Sequence, residues 1–455
     1  MYNKAQTDRY MSKQLTRIDV LGLVIGSVIG WGAFTLPGKQ FLPTSGVVNT
    51  TLGLVIGGIL VVVIQNAYHT MLEHNKEEGG EFTYAYDNLG KAHGFVVAWS
   101  LSLCYLSMIP LNASAYVLLF KVIFQDKLNF IYMYSIAGYE VYLSDVIFMS
   151  IVILIFAYIN VKGLRVSSKV QDLMSGLLVA IVLVILILMI TKGDMVSFSR
   201  NYISDYRFSF GQIATVIAIV PFLFVGFDVI PQVSNELRFP VGKATKLAIA
   251  SIVIGIFIYA ALNIIAGIGF GPSEAAKSDW AVADSIVNTV GHIGFVLMLV
   301  ALWAAITGGI NGFMIASSKL ISALGAYEII SKKFHTQNGK GAYPYAIIFV
   351  SGISLIAPWI GREVILYIVD MASLLAAIAY GYVGYISIGK SKDRKNKLLA
   401  KLAVVISVGF ILLLTLPYSP AQLSGNSFIF LAIWVVLGWI MYMSKNRTNK
   451  DRRNE

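Results

Sequence analysis

The sequence predicts an all-α integral membrane protein with twelve membrane-spanning helices, and three observations lead to this prediction. First, 57% of the 455 residues are hydrophobic and only 13% are charged, against about 25% charged residues in an ordinary soluble domain. Second, apolar runs recur along the chain at the length of about 20 residues that a bilayer core requires. Third, lysine and arginine cluster between these runs and favour every second loop.

The apolar runs give the positions of the predicted spans. The first run is longer than a signal peptide, and no cleavage site of small residues precedes the next polar segment, so we expect it to be retained as a membrane helix. The twelve predicted spans lie at 18–43, 50–72, 94–124, 142–160, 170–191, 210–235, 246–270, 287–325, 343–360, 363–388, 398–416 and 427–444.

The distribution of basic residues predicts the orientation. With both termini in the cytoplasm, 27 of the 35 lysines and arginines fall on the inner side and 8 on the outer side, as the positive-inside rule requires. The net charge of +11 therefore reflects topology, and we expect a lipid bilayer and no nucleic acid as partner. The localisation predicted is a multi-pass protein of the cell membrane, with cytoplasmic tails at 1–17 and 445–455.

Glycines weaken the first span. Gly22, Gly26, Gly30 and Gly32 lie within it, and each glycine costs about 1 kcal/mol relative to alanine inside a helix. We predict that this helix is broken around Gly26 to Gly32, and a break at bilayer depth must line a cavity. The alternative is that these glycines only permit close helix packing.

A second break is predicted five helices later, in the sixth span, which contains Pro221, Gly226 and Pro231. Transporters are often built from two repeats of opposite topology whose first helices are interrupted. The breaks divide the chain into a first five-helix repeat at 18–191 and an inverted second repeat at 210–388. Two accessory helices remain at 398–444.

The two breaks supply groups suited to an amino acid. The amides that begin the outer half of the first span form a positive helix end that favours a carboxylate. Prolines in the sixth span release carbonyls, which could hold an ammonium group. Asp228 is a carboxylate at membrane depth and so a candidate for binding a proton or a cation. Its alternative role is a carboxylate satisfied by local backbone amides.

These residues resemble a known family. Gly26, Gly30, Gly32 and Phe34 match the G-x-x-x-G-x-G-x-F signature of amino acid/polyamine/organocation (APC) permeases. The resemblance extends over about 390 of the 455 residues. Further similar segments follow in the expected order: Glu78 to Tyr84, Gly94 and Phe95 with Trp99, Phe224 to Asp228 with Glu236 and Pro240, and Ser317 to Leu324.

The resemblance implies the LeuT-type fold of five plus five helices with helices one and six broken, and a substrate site between spans one, three, six and eight. It places the substrate carboxylate on first-break amides, the amino group on sixth-span carbonyls, and an aromatic gate at Phe222. The implied substrate-binding residues are Ser27, Gly30, Trp31, Gly32, Phe222, Leu223, Val225 and Phe313.

The sequence departs from this family in two places. Trp31 stands where most relatives have a small residue, which favours a small substrate over a long cationic one. Leu178 stands where many proton-coupled members have a lysine, so coupling through that lysine is not expected. Three possibilities remain open: protonation of Asp228, sodium held by first-span carbonyls with Thr307 or Asn311, and obligate exchange.

The function predicted is a secondary-active transporter of amino acids, with small neutral ones favoured, that works by alternating access with ion coupling or exchange. An amine, polyamine or ethanolamine-like permease is the alternative, and a channel or a membrane enzyme is less favoured because no catalytic motif is found. We expect no cofactor and no metal site, beyond a proton or sodium as coupling ion. The oligomeric state, monomer or homodimer, stays open.

Overall fold

The computed structural model describes residues 15–454 except 76, 125–126, 128, 205, 279 and 420. Residues 1–14 of the predicted N-terminal tail and the side chains of residues 444–455 lie outside this description. The helices are α1 (Arg17–Val28), α2 (Gly32–Leu36), α3 (Leu42–His74), α4 (Glu81–Leu89), α5 (Lys91–Phe124), α6 (Leu143–Val161), α7 (Leu164–Lys192), α8 (Met195–Ser199), α9 (Phe210–Phe224), α10 (Val229–Gln232), α11 (Val241–Gly269), α12 (Pro272–Ala275), α13 (Ala281–Val290), α14 (His292–Ala326), α15 (Pro344–Ser354), α16 (Ala357–Ile360), α17 (Arg362–Lys390), α18 (Arg394–Thr415) and α19 (Gly425–Asn454).

Ten helical stretches among the described residues are long and apolar enough to cross a membrane. The first predicted span is divided between α1 and α2, and a π-helical turn at Pro37–Phe41 connects α2 to α3. The ninth predicted span consists of the shorter helices α15 and α16. The count of twelve spans therefore stays a prediction.

The outward surface of the helices is apolar, as a lipid environment requires. In α6, for example, Leu154 is 52% exposed, whereas Ile153 and Phe156 are buried against the other helices. This helix is apolar all round, and its exposed side would be unfavourable in water. The pattern supports a membrane protein independently of helix length.

The segments that connect the helices lie at two faces of the bundle. We call the face that contains Leu15 the N-terminal face. There the backbone amide of Leu15 donates to the carbonyl of Glu236 over 3.0 Å, and the amide of Arg238 donates to the carbonyl of Leu15 over 3.1 Å. We call the other the opposite face. It carries a hairpin of β1 (Tyr132–Ile136) and β2 (Tyr139–Tyr142).

The hairpin was not predicted from the sequence. Its turn residues Ala137 and Gly138 both have positive φ angles, 51° and 81°, the conformation that suits a two-residue turn between antiparallel strands. The hydroxyl group of Tyr134 in β1 donates to the carbonyl of Trp359 in α16. The hairpin thus lies against the end of the predicted ninth span.

Helix α14 runs through the centre of the bundle, and its residues from Ala304 to Gly325 are buried. It packs on α1 through glycines: a Cβ atom on Gly308 would lie 2.9 Å from the Cα atom of Gly26. Gly26 therefore lies inside the continuous helix α1 and serves close packing. The predicted break extends over fewer residues than Gly26 to Gly32 and begins only after Val28.

Candidate functional site

The first helix break comprises Ile29, Gly30 and Trp31. Ile29 adopts an extended conformation with φ −105° and ψ 103°, and helical hydrogen bonding resumes where the amide of Ala33 donates to the carbonyl of Gly30 over 3.2 Å. The Trp31 amide lies 3.5 Å from Oδ1 of Asn112 in α5, a long and weak contact. The break thus presents backbone groups toward α5.

The second break lies between Phe224 and Val229, where α9 ends and α10 begins. Gly226 has a φ angle of 120°, which glycine adopts far more readily than other residues. A Cβ atom at Gly226 would also lie 2.6 Å from Cβ of Ser27. The second break therefore contacts the last turn of α1, directly before the first break, and Gly226 is required both for its conformation and for this approach. Pro221 lies inside α9 and does not end it.

Tyr259 of α11 joins the two breaks. Its hydroxyl oxygen lies 3.2 Å from the carbonyl oxygen of Val28 and 3.3 Å from that of Leu223. The hydroxyl proton is therefore shared between the last carbonyl of α1 and a carbonyl near the end of α9. Sequence reasoning missed Tyr259, although a polar side chain within an apolar span was the available signal.

Asp228 is fully buried within the second break. Its Oδ1 atom accepts from the amide of Gly226 over 2.8 Å, and its Oδ2 atom accepts from the hydroxyl of Tyr105 over 2.9 Å. The local-amide role considered for this carboxylate is thus present in the structure. Tyr105 also lies beside Phe313, with ring centroids 6.0 Å apart, so Phe313 faces the Asp228 region. Val225, in the same break, is buried and donates its amide to the carbonyl of Phe222.

Four of the predicted binding residues form a partly exposed group. These residues, which we call the accessible group, are Gly30, Trp31, Gly32 and Phe222. A Cβ atom on Gly32 would lie 3.6 Å from Cε1 of Phe222, so the predicted gate residue lies next to the first break. In contrast, residues 223–234 are all buried. The region of the breaks is therefore closed along residues 223–234 and partly exposed at the accessible group.

The indole ring of Trp31 is enclosed by two residues that the sequence did not single out. Trp280 lies against it with ring centroids 5.7 Å apart. The guanidinium carbon of Arg362 lies 5.2 Å from the centre of the indole ring, within the range of a cation–π interaction. Arg362 is only 8% exposed and donates to the hydroxyl of Ser114. Among the described residues, no carboxylate forms an ion pair with it.

Thr307 and Asn311 have partners outside the first span. The Thr307 hydroxyl is hydrogen-bonded to that of Tyr116. The amide oxygen of Asn311 accepts from Asn160 and Ser167, and its amide nitrogen donates to the carbonyl of Ser167 and to Gln171. The structure thus does not bring these two side chains together with first-span carbonyls, because they face α5, α6 and α7.

An ionic cluster closes the N-terminal face. The Nζ atom of Lys319 lies 2.8 Å from a carboxylate oxygen of Glu78 and 2.8 Å from one of Glu236. Tyr343 donates to Glu78 over 2.7 Å. Lys319 and both glutamates are almost entirely buried. The cluster thus connects α14 with the segment before α4 and with the segment after α10.

Comparison with known proteins identifies the family. The family model described as "Amino acid permease" matches residues 15–442. The mouse (Mus musculus) protein named large neutral amino acids transporter small subunit 2 is 26% identical over 330 residues, a match that covers 70% of this chain and 59% of the mouse protein. The chain thus aligns with little more than half the length of that relative.

Two further relatives are also transporters by name. An arginine/agmatine antiporter of Chlamydia trachomatis serovar D is 23% identical over 96% of this chain and 91% of its own length. The mouse Asc-type amino acid transporter 1 is 25% identical over 68% of this chain and 58% of its own length.

The family match confirms the predicted helical membrane fold, which in this family is of LeuT type, and it names a class of transporters rather than of enzymes. The division into repeats at 18–191 and 210–388, like the roles of the individual site residues, stays a prediction. The motifs, the two helix breaks and the match over residues 15–442 lead to one conclusion: this chain belongs to the amino acid permease family.

Proposed function

We propose that this protein is a secondary-active transporter of small neutral amino acids that works by alternating access. The observation that carries the proposal is the direct contact of two broken helices at Ser27 and Gly226. This contact brings the ends of α1 and α9 together, so that amides of the first break and the carbonyl of Leu223 are available on the two helices. A zwitterionic amino acid needs both.

The roles proposed at this site follow the geometry. The substrate carboxylate is bound by the amides of Gly30, Trp31 and Gly32, which belong to the accessible group. The amino group is bound near the carbonyl of Leu223, where it competes with the hydroxyl of Tyr259 that now lies 3.3 Å away. Phe222, which lies beside Gly32, closes over the bound substrate.

The preference for a small, uncharged side chain rests on Trp31 and its neighbours. The indole ring is held between Trp280 and Arg362, so it cannot swing away without losing both contacts. A long substrate would collide with the ring, and a cationic one would be repelled by the guanidinium. The arginine/agmatine antiporter named above is therefore similar in fold but is proposed to differ in substrate.

The N-terminal face is proposed to be cytoplasmic, with the protein in the cell membrane, since this orientation puts most lysines and arginines inside. With this orientation, the conformation described is closed to the cytoplasm by the Lys319 cluster and accessible from outside through the accessible group. Transport would be driven by a coupled proton or sodium ion or by exchange. The proposed transport mechanism is compatible with a monomer and with a homodimer.

Binding competition tests the proposal. Purified protein should be stabilised against heat by small neutral amino acids such as L-alanine and L-serine, and far less by their methyl esters or by ethanolamine, because these lack the carboxylate. Equal stabilisation by esters and amines would remove the carboxylate role and favour an amine permease. Passive flux far above carrier rates in proteoliposomes would instead identify a channel.

A further inference from the structure

Glu81 is a buried carboxyl group that has no place in the proposed substrate site. It is the first residue of α4 on the N-terminal face and is 0% exposed. Its Oε2 atom accepts from Nε2 of Gln232 over 2.8 Å. Its Oε1 atom is buried and, among the described residues, has no hydrogen-bond partner. A buried carboxylate with so few donors is unstable as an anion.

The acidic group whose charge acts on Glu81 is Asp228, which is also fully buried. No ion pair within the described part of the chain involves either carboxyl group. The buried cation Lys319 is already paired with Glu78 and Glu236. Two carboxyl groups that interact in a low dielectric do not readily ionise together, so one of them holds a proton.

The hydrogen bonds indicate which of the two is protonated. Asp228 accepts from two donors, the Gly226 amide and the Tyr105 hydroxyl, and such bonds favour the ionised form. Glu81 accepts from Gln232, and although its own backbone amide and the Tyr68 hydroxyl also lower its pKa, the loss of hydration on burial outweighs all three. Burial raises the pKa of Glu81 well above its usual range, and the charge of Asp228 raises it further.

The other titratable groups around Glu81 do not supply a positive charge. Helix α14 packs against the segment before α4, but its cation Lys319 is paired with Glu78 and Glu236. The groups that interact electrostatically with Glu81 are Tyr68 of α3, Tyr84 of α4 itself, Cys104 and Tyr105 of α5, and Tyr380 of α17. All are phenols or a thiol, which are uncharged near neutral pH. The proton on the carboxyl group is therefore not displaced by a nearby cation.

The surroundings of Glu81 connect it to the second break. A Cβ atom on Gly80 would lie 2.7 Å from Cβ of Pro231 and 2.9 Å from Nε2 of Gln232. The start of α4 is thus packed tightly against α10. Any opening of the N-terminal face that moves α10 relative to α4 changes the environment of Glu81 and admits water to it.

We propose that Glu81 is the proton-binding site of this transporter, protonated while the N-terminal face is closed and deprotonated when that face opens. The proton binds to Glu81 from the side of the substrate site, where Asp228 is ionised. It leaves Glu81 toward the N-terminal side once Gln232 separates from Glu81. The inference rests on the proposed function, and it assigns proton coupling to a residue outside the predicted coupling set of Asp228, Thr307 and Asn311.

The test uses the full chain in proteoliposomes, with radiolabelled L-alanine and L-serine as probes. The wild type should accumulate a probe when the outside is acidic, up to about tenfold for each coupled proton and about one pH unit of gradient. Glu81→Gln should lose this accumulation but retain counterflow, the exchange of labelled for unlabelled substrate without a gradient. Glu73→Gln, which changes an exposed carboxylate at the end of α3, should behave as the wild type.

The outcomes separate the two proposals. Absence of counterflow in the wild type with every amino acid tried would refute the transport function itself. Either of two results would overturn the role of Glu81. One is a wild type that shows counterflow but whose uptake does not respond to the proton gradient. The other is gradient-driven accumulation in Glu81→Gln.

A second variant keeps the test decisive if Glu81→Gln does not fold. Gln232→Met removes the donor that stabilises the ionised carboxylate, so deprotonation becomes harder. The pH at which proton-dependent uptake falls to half should then rise by about one unit. An unchanged pH profile in this variant would also contradict the proposal.

Discussion

The guanidinium group of Arg362 lies over the indole ring of Trp31, 5.2 Å from its centre, and links the start of α17 to the first helix break. Cation–π contacts of this kind contribute about 0.5–2 kcal/mol, more when water is excluded. Since no carboxylate in the described part of the chain forms an ion pair with Arg362, its charge acts on any ion that approaches it. This pair therefore connects Trp31, the residue expected from the sequence to depart from the family pattern, with a source of electrostatic selectivity.

Arg362→Gln should admit cationic amino acids. At about 10 Å and an effective dielectric constant of about 20, two positive charges repel by about 1.7 kcal/mol. Removing the charge should thus strengthen inhibition of uptake by L-arginine or L-lysine by about tenfold. Lys192→Gln, at an exposed position at the end of α7, is the control. Unchanged inhibition in Arg362→Gln would show that the guanidinium does not act on the substrate.

Gly226→Ala should abolish uptake and lower thermal stability. The added Cβ atom would lie 2.6 Å from Cβ of Ser27, at a φ angle of 120° that alanine rarely adopts. Gly176→Ala is the matched control, since nothing lies within 4 Å of a Cβ atom at that position in α7. It should leave uptake unchanged and, by helix propensity, stabilise by up to about 1 kcal/mol. Normal uptake in Gly226→Ala would mean that the second break need not contact α1.

Gly30→Val should weaken substrate binding while leaving expression intact. A Cβ atom there would lie 3.0 Å from Oδ1 of Asn112, a contact that the partly exposed break can relieve by moving. The methyl groups would then cover the amides proposed to bind the carboxylate. Thermal-shift titration with L-alanine gives the affinity, and wild-type affinity in this variant would exclude the first break from the site.

Tyr259→Phe should destabilise the junction of the two breaks. Loss of the hydroxyl leaves the buried carbonyls of Val28 and Leu223 without this donor, at a cost of about 1–3 kcal/mol. We expect a lower melting temperature and a change in KM, because the substrate ammonium competes for one of these carbonyls. Tyr345→Phe, at a residue that is 53% exposed, should change neither quantity. A KM equal to that of the wild type would separate Tyr259 from the substrate site.

Lys319→Gln should open the N-terminal face more often. Without the ammonium group, Glu78 and Glu236 remain as two buried carboxylates that repel each other, and breaking a buried ion pair costs about 3–5 kcal/mol. The buried Cys104 is the sole cysteine, so a Cys104→Ala background permits a reporter at Val233→Cys. Its labelling by a thiol reagent should accelerate in the Lys319 variant and not in Lys332→Gln, which changes an exposed lysine.

The sequence contained the signals for the helices and for the location of the breaks. Apolar runs set the spans because lipid demands them, and the glycines and prolines of the first and sixth spans identified the weak points. The individual residues were harder to interpret: Gly26 and Gly30 look alike in the sequence, yet one packs inside α1 and the other forms the break. The helices packed on Gly26, α14 at Gly308 and α7 at Gln171, distinguish it from Gly30.

The remaining features depend on contacts between distant parts of the chain. Tyr259 and Val28 are 231 positions apart, and Gln232 and Glu81 are 151 apart. No local pattern in the sequence predicts such pairs. Asn311 was an attractive sodium ligand by position, but the rotation of α14 turns its side chain toward α6 and α7. The hairpin at β1 and β2 was missed because its apolar residues alternate over too few positions to be distinguished from a loop.

The pairing of Leu15 with the segment around Leu237 has a practical consequence for anyone who produces this protein. An affinity tag or fluorescent protein at the amino terminus would be joined to this pairing through residues 1–14 alone. If the proposed opening of the N-terminal face separates Leu15 from Leu237, such a fusion would act on a segment that moves. Purification handles and reporters therefore belong at the carboxyl terminus.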